Sequence, residues 1–151
     1  AFCRKAVVST ADFEVWGDGL QTRSFMFIDD CVEGSIRILL SDYEEPLNLG
    51  TDEMLSMNDF AHLSMSFDGK NLPIRHIPGP QGVRGRNSDN TLIKEKLHWA
   101  PSITLKEGLR RTYFWIKEQV QQEAAAGIDV SVYASSKVVV QTTETLDQLK
   151  K

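Results

Sequence analysis

Apolar positions along this chain switch between a two-residue and a three-to-four-residue rhythm, and each switch marks a change of element. Phe13-Glu-Val-Trp16, halted by Gly17-Asp-Gly19, predicts a short strand and a turn. Ser24 to Ile28 predicts a second strand. Asp29-Asp30 then opens a helix over 30–40 with Val32, Ile36, Leu39 and Leu40 at helical spacing. Pro46-Leu-Asn-Leu-Gly50 is short, apolar and glycine-terminated, which predicts a buried strand. Ser56 with Asp59 three residues later is a capping box, and Phe60, Leu63 and Phe67 give the helix behind it an apolar face that ends near Gly69. Pro73 to Pro78 predicts an edge strand, and 79–86 reads as a loop by composition. Asp89 is placed to cap a helix over 90–97, which Trp99-Ala-Pro101 interrupts. Thr104 with Glu107 is a second capping box. Behind it Leu105, Leu109, Thr112, Ile116 and Val120 predict a long helix to Ala126, stopped by Gly127. The stretch 142–151 has little to bury and is expected to be mobile. Alternating strands and helices without a repeat favour a mixed α/β fold.

Composition narrows the class. With 151 residues, 41% hydrophobic, 25% charged and a mean hydropathy of −0.28, the chain suits one globular domain rather than a collagen-like, low-complexity or disulfide-scaffold protein. A net charge of −4 and a pI near 5.4 give no general attraction to nucleic acid. No stretch approaches the roughly 18 consecutive apolar residues of a membrane helix, and no secretory pattern opens the chain. Cys3 and Cys31 fit no zinc or redox spacing, so two reduced thiols in a reducing, cytoplasmic compartment are expected. The chain begins with Ala1 rather than Met, which suggests a cleaved or truncated start.

The charge is unevenly distributed. Asp42, Glu44, Glu45, Asp52, Glu53 and Asp59 fall in a stretch without Lys or Arg, whereas Lys70, Arg75, Arg84 and Arg86 fall in one without acids. Arg84 and Arg86 lie in a glycine-rich segment suited to bidentate capture of phosphate; the competing reading is an exposed loop whose arginines pair with surface carboxylates. Gln21 and Arg23 sit at the mouth of a strand, where alternate spacing puts both on one face. They could grip a sugar and a phosphate, or belong to an ordinary hairpin with an exposed arginine. His62, His76 and His98 show no ligand spacing, which disfavours a metal. Trp16, Trp99 and Trp115 read as core anchors rather than stacking platforms. No G-x-S-x-G elbow, Walker loop or G-x-G-x-x-G follows a strand. The spacing Tyr-x-x-x-Lys occurs at Tyr113/Lys117 and Tyr133/Lys137, neither after a nucleotide-binding half, and reads as chance.

Longer runs carry a resemblance. Trp16-Gly-Asp-Gly-Leu-Gln-Thr-Arg-Ser-Phe-Met-Phe-Ile-Asp-Asp-Cys-Val-Glu-Gly resembles the C-terminal half of extended short-chain dehydrogenases of the NAD-dependent epimerase/dehydratase superfamily. Lys94-Glu-Lys-Leu-His-Trp-Ala-Pro and Leu105-Lys-Glu-Gly-Leu-Arg-Arg-Thr-Tyr-Phe-Trp-Ile resemble that superfamily's closing helices. Ala1-Phe-Cys-Arg-Lys-Ala, His76-Ile-Pro-Gly-Pro-Gln-Gly-Val-Arg-Gly-Arg-Asn-Ser-Asp-Asn and Ser135-Ser-Lys-Val-Val look like the plant GDP-mannose 3,5-epimerases.

The resemblance implies a C-terminal substrate-binding region over 1–140 and a flexible tail over 141–151, with an N-terminal Rossmann half missing. It implies NAD in that absent half and GDP-mannose between the halves. Transient oxidation at the sugar C4 would acidify C3 and C5, where a Cys/Lys pair exchanges protons. The products would be GDP-L-galactose and GDP-L-gulose, feeding ascorbate and cell-wall synthesis, and the complete enzyme would be a homodimer. By position, Lys5, Gln21, Thr22, Arg23, Arg86 and Ser136 look like substrate-binding residues. Lys5, Thr22 and Ser136 rest on the resemblance, whereas Gln21, Arg23 and Arg86 also follow from their chemistry. The glycine fingerprint and the catalytic Cys and Lys would precede Ala1, so Cys3 is not the catalytic cysteine. Two alternatives remain: a non-catalytic nucleotide-sugar-binding or dimerising module, and a part of another nucleotide-sugar epimerase, dehydratase or decarboxylase.

The chain by itself is expected neither to bind NAD nor to epimerise. Incubated with NAD and GDP-mannose, the purified 151 residues should yield no L-galactose product; formation of any would overturn the expectation.

Overall fold

A computed structural model describes residues 1–136; the predicted mobile stretch 142–151, the expected tail 141–151 and Lys137 lie outside them. The core gathers around one inner strand. Phe13 and Val15 of β1 (Phe13–Trp16) are almost wholly excluded from water, and β1 pairs in parallel with β4 (Ile74–Ile77), Phe13 against Ile74 and Glu14 against Arg75. A helix that the apolar pattern did not announce, α1 (Phe2–Val8), buries Cys3, Lys5 and Ala6. Helices α3 (Met57–Ser66) and α5 (Leu105–Ala125) pack against it. Phe60, Ala61, Met65, Leu105, Leu109 and Tyr113 complete this core.

A second sheet lies beside the first. β2 (Thr22–Ser24) runs between an antiparallel β3 (Met54–Ser56) and a parallel β5 (Gly85–Arg86). The glycine turn after β1 therefore does not make a hairpin, because β1 and β2 enter different sheets. The loop expected over 79–86 ends in β5, which fills the free edge of β2. Helices α2 (Ile28–Leu39) and α4 (Thr91–Leu97) and a 3₁₀ turn at Val130–Ala134 complete the mixed α/β arrangement that the alternating pattern predicts.

Both N-caps form, each without the return bond from the acid to the cap's own N–H that would complete a box. The Ser56 hydroxyl accepts from the Asp59 N–H at 3.0 Å and donates to the Asp59 carboxylate at 2.6 Å, while Thr104 accepts from the Glu107 N–H at 3.3 Å. Asp89 accepts from the Thr91 N–H at 3.0 Å at the start of α4. Gly127, at φ +80, takes the left-handed conformation that stops α5.

Four expectations are corrected. The strand predicted over 24–28 ends at Ser24, and α2 already begins at Ile28. Phe25 leaves the sheet to stack on Phe60, centroids 4.3 Å apart, and Phe27 sits against Gly108, where a Cβ would come within 2.9 Å of it. Pro46–Gly50 is neither a strand nor buried, since no described strand runs alongside to pair with it. Trp115 is no core anchor but 60% exposed, whereas Trp99 is buried between α2 and its surroundings, facing Gly34. The buried face of α5 runs through Tyr113 rather than Thr112 and Ile116, which are half-buried.

The Tyr113/Lys117 spacing has a structural use. One turn apart, both side chains reach Asp68, the tyrosine hydroxyl donating at 2.8 Å and the ammonium at 2.7 Å. Two residues on, Lys70 donates to the carbonyls of Ala6, Val7 and Ser9 at 2.6–3.1 Å and closes the C-terminal end of α1. The turn after α3 thus fastens both α5 and α1. On α2 an apolar stripe (Ile28, Val32, Ile36, Leu39 and Leu40) stays 50–81% exposed.

Burial would raise the Asp68 carboxyl, but the hydrogen bonds from Lys117 and Tyr113 outweigh it and hold the group below the usual range. A carboxylate depressed in the folded state stabilises above its unfolded pKa of about 4 and loses that contribution as pH falls through the folded value. Asp68→Asn should therefore cost about 1–2 kcal/mol at pH 7. In urea unfolding at pH 7, 5 and 3 the difference from the parent chain should shrink once the pH is below about 4.

Candidate functional site

Two clefts open on either side of the N-terminal end of α1. The larger, about 740 Å³, is lined by Lys5 and Glu14 from inside and by Tyr133, Ser135 and Ser136 from the last described segment. The smaller, about 440 Å³, lies between Phe2, Cys3, Phe25, Phe60 and Leu109, with Arg23 at its edge. Ala1, Phe2, Cys3 and Thr112 line both.

Lys5 is buried because α1 lays it against β1, and a buried ammonium needs acceptors. It finds the Glu14 carbonyl at 2.8 Å and the Ser136 hydroxyl. Burial pushes the Lys5 ammonium below its ordinary pKa, and the negative charge of Glu14 opposes that shift. Lys5 and Ser136, 131 residues apart, are thus brought into direct contact.

Gln21 and Arg23 part company. Gln21 precedes β2 and is 5% exposed; its amide donates to the Trp16 carbonyl at 3.2 Å, and its Oε1 is buried with no partner among the described residues. Arg23 donates to the Thr22 carbonyl at 2.6 Å and to the Gln81 carbonyl at 3.2 Å. Thr22 is fixed by its backbone, which donates to the Arg84 carbonyl at 2.9 Å.

The two arginines of the glycine-rich segment also separate. Arg84 takes the surface-carboxylate role, held by both oxygens of Asp18 at 2.8 and 3.0 Å. The Leu20 N–H and then Arg84 keep the Asp18 carboxyl below its ordinary range. Arg86 stands in register with Arg23 across the β2–β5 pair. Parallel register partners project from the same face of a sheet. Among the described residues neither forms an ion pair with a carboxylate. Cations in register on one face disfavour each other, and an anion with several oxygens can relieve that by accepting from both.

Sequence reasoning passed over Glu14, Arg4 and Tyr133, which shape the larger cleft. Glu14 lies in an otherwise apolar strand with no motif around it. Arg4 lies 4.6 Å from the centre of the Tyr133 ring, a contact that no local spacing encodes. Burial pushes the Cys3 thiol above its usual pKa, which keeps it protonated and unreactive. Among the described residues no three His, Cys, Asp or Glu side chains converge on a metal position, and no helix is long and apolar enough to cross a membrane.

The described residues do not fit NAD. A dinucleotide needs a strand that enters a helix through a glycine-rich turn. Here β2 reaches α2 through Phe25-Met26-Phe27, and β3 abuts α3 directly.

The NAD dependent epimerase/dehydratase family matches residues 1–50. The chain is 69% identical to GDP-mannose 3,5-epimerase of Arabidopsis thaliana over 92% of its own length and 37% of that protein's. It is 66% identical to GDP-mannose 3,5-epimerase 1 of Oryza sativa subsp. japonica over the same shares. UDP-glucuronic acid decarboxylase 1 of Arabidopsis thaliana is 33% identical over 72% of this chain and 25% of that protein. The fold resembles UDP-glucose 4-epimerase of Thermotoga maritima, solved with UDP-glucose, at a TM-score of 0.71 and 27% identity over 79% of this chain and 38% of that one. It also resembles UDP-glucuronic acid 4-epimerase of Bacillus cereus, solved with UDP-glucuronic acid and NAD, at a TM-score of 0.70 and 25% identity over 78% and 38%. The chain spans little more than a third of the length of these two GDP-mannose 3,5-epimerases.

Proposed function

We propose that these residues are the C-terminal, substrate-binding part of a GDP-mannose 3,5-epimerase, an isomerase that converts GDP-mannose to GDP-L-galactose and GDP-L-gulose and serves ascorbate synthesis. The identity to the two plant epimerases carries the reading. The geometry supports it: β2 and β5 set Arg23 and Arg86 in register on one face, two cations without a carboxylate partner among the described residues and suited to a diphosphate. Lys5 and Ser136 line the larger cleft as donors for a polyhydroxylated sugar, and Gln21 and Thr22 belong to the same segment as Arg23. NAD supplies reversible oxidation of the sugar and is bound by residues outside this chain. The exposed apolar stripe of α2 suits a surface covered by further polypeptide. A homodimer and a cytoplasmic site accompany this reading, the latter supported by two unpaired thiols.

A second reading, a part of a UDP-sugar decarboxylase, rests on the 33% identity to one of those enzymes and is the weaker of the two. Affinities for GDP-, UDP- and dTDP-sugars separate the two. In the complete epimerase Arg86→Ala should raise the KM for GDP-mannose about tenfold or more, the loss of one charge-assisted contact. Arg84→Ala should change it by less than about threefold, since Arg84 is occupied by Asp18. Unchanged binding in Arg86→Ala would remove the assignment.

A further inference from the structure

Glu14 is a carboxylate that the proposed chemistry leaves unused, yet it is only 9% exposed at the floor of the larger cleft. Both oxygens are engaged. Oε1 accepts from Arg75 at 2.6 Å, its register partner on β4, and Oε2 accepts from the backbone N–H of Ser136 at 2.6 Å. Arg75 is fixed in turn by Asp12 at 2.8 Å. The Glu14 carbonyl holds Lys5. One residue therefore grips both members of the Lys5–Ser136 pair, the serine by its side chain and the lysine by its backbone. The segment carrying Ser136 has a second attachment at Tyr133, whose hydroxyl donates to Glu123 at 2.8 Å.

We propose that Glu14 is a positioning residue for nucleotide-sugar binding, holding Ser136 over Lys5 so that the segment after α5 closes the larger cleft. The inference rests on Lys5 and Ser136 being substrate-binding residues. Its physical basis is the two-acceptor requirement. A glutamine of the same size offers one acceptor and one donor, so its NH₂ must face either the Arg75 guanidinium or the Ser136 N–H, donor against donor. A carboxylate alone satisfies both.

The test uses the complete epimerase. Glu14→Gln should raise the KM for GDP-mannose about tenfold with kcat changed less than about twofold, the pattern of lost ground-state binding. Arg75→Met should act the same way, with the strand sequence of β1 untouched. In Glu14→Gln the affinity for NAD, read by fluorescence titration, and the thermal midpoint should stay near the parent values, whereas Arg75→Met, which leaves the buried Glu14 carboxylate without its cation, should lower the midpoint. Ser136→Ala should also raise KM, and adding Glu14→Gln to it should raise KM no further, because the glutamate acts through the serine. Additive effects in the double variant overturn the proposal, as does an unchanged KM in Glu14→Gln. A parallel fall of NAD affinity and thermal midpoint assigns Glu14 a merely structural role and overturns it too. If Lys5→Met and Ser136→Ala both leave KM unchanged, the substrate-binding reading itself fails and takes this one with it; if they raise KM while Glu14→Gln does not, only the role of Glu14 fails.

Discussion

A carboxylate almost out of water on an inner strand is the constraint around which the rest of this structure is arranged. Glu14 could not stay charged there alone, since an unpaired buried charge costs several kcal/mol. Arg75 meets it from the neighbouring strand, so the pair can exist only when β1 and β4 are in the observed register. A slip of one residue would set Glu14 opposite Ile74 or His76 and turn Phe13 and Val15 out of the core. The ion pair is half-exposed on the arginine side, so its net contribution to stability is modest; its larger effect is to fix register and to leave the second carboxylate oxygen for the Ser136 N–H at the cleft.

Register in turn fixes what lies above it. α1 crosses the core where β1 is buried, which sends Lys5 to the carbonyl of Glu14 rather than to solvent. The helix can rest there because Lys70 takes up carbonyls at its C-terminal end, and Lys70 is in place because Asp68, two residues before it, is tied to Tyr113 and Lys117 of α5. These charged contacts are few, but each joins two elements far apart in sequence. Loosening one would disturb the cleft without any change to a residue lining it.

This division explains what the sequence revealed. The caps and the helices behind them are local: Ser56 with Asp59 and Thr104 with Glu107 each contain their own partners, while the alternation at Phe13–Trp16 marks a strand before its partner is known. Elements that depend on a distant neighbour were misread. Pro46–Gly50 has the apolar composition of a strand but no described strand beside it, and Trp115 lies on α5 away from the core. The candidate site divides the same way. Arg23 and Arg86 were legible as anion-seeking chemistry in a permissive backbone, but their pairing across β2 and β5 was not, nor was the capture of Arg84 by Asp18. Lys5 and Ser136 gave no local signal and were named by resemblance alone. Glu14 was invisible because a lone acid in an apolar strand looks like a tolerated exception until its two partners are seen.

The arrangement also bears on why binding groups should come from opposite ends of the described chain. Lys5 is rigid: it sits on a buried helix with its ammonium anchored to the sheet. Ser136 follows a short 3₁₀ turn without a buried residue, so its place beside Lys5 is set by its own contacts. The second oxygen of Glu14 takes the Ser136 N–H, and Arg4 against the Tyr133 ring holds the same segment three residues earlier. A donor fixed by its helix and a donor fixed by contacts distant in sequence thus meet at one wall of the cleft, which is why a change at Glu14 reaches the site through the serine.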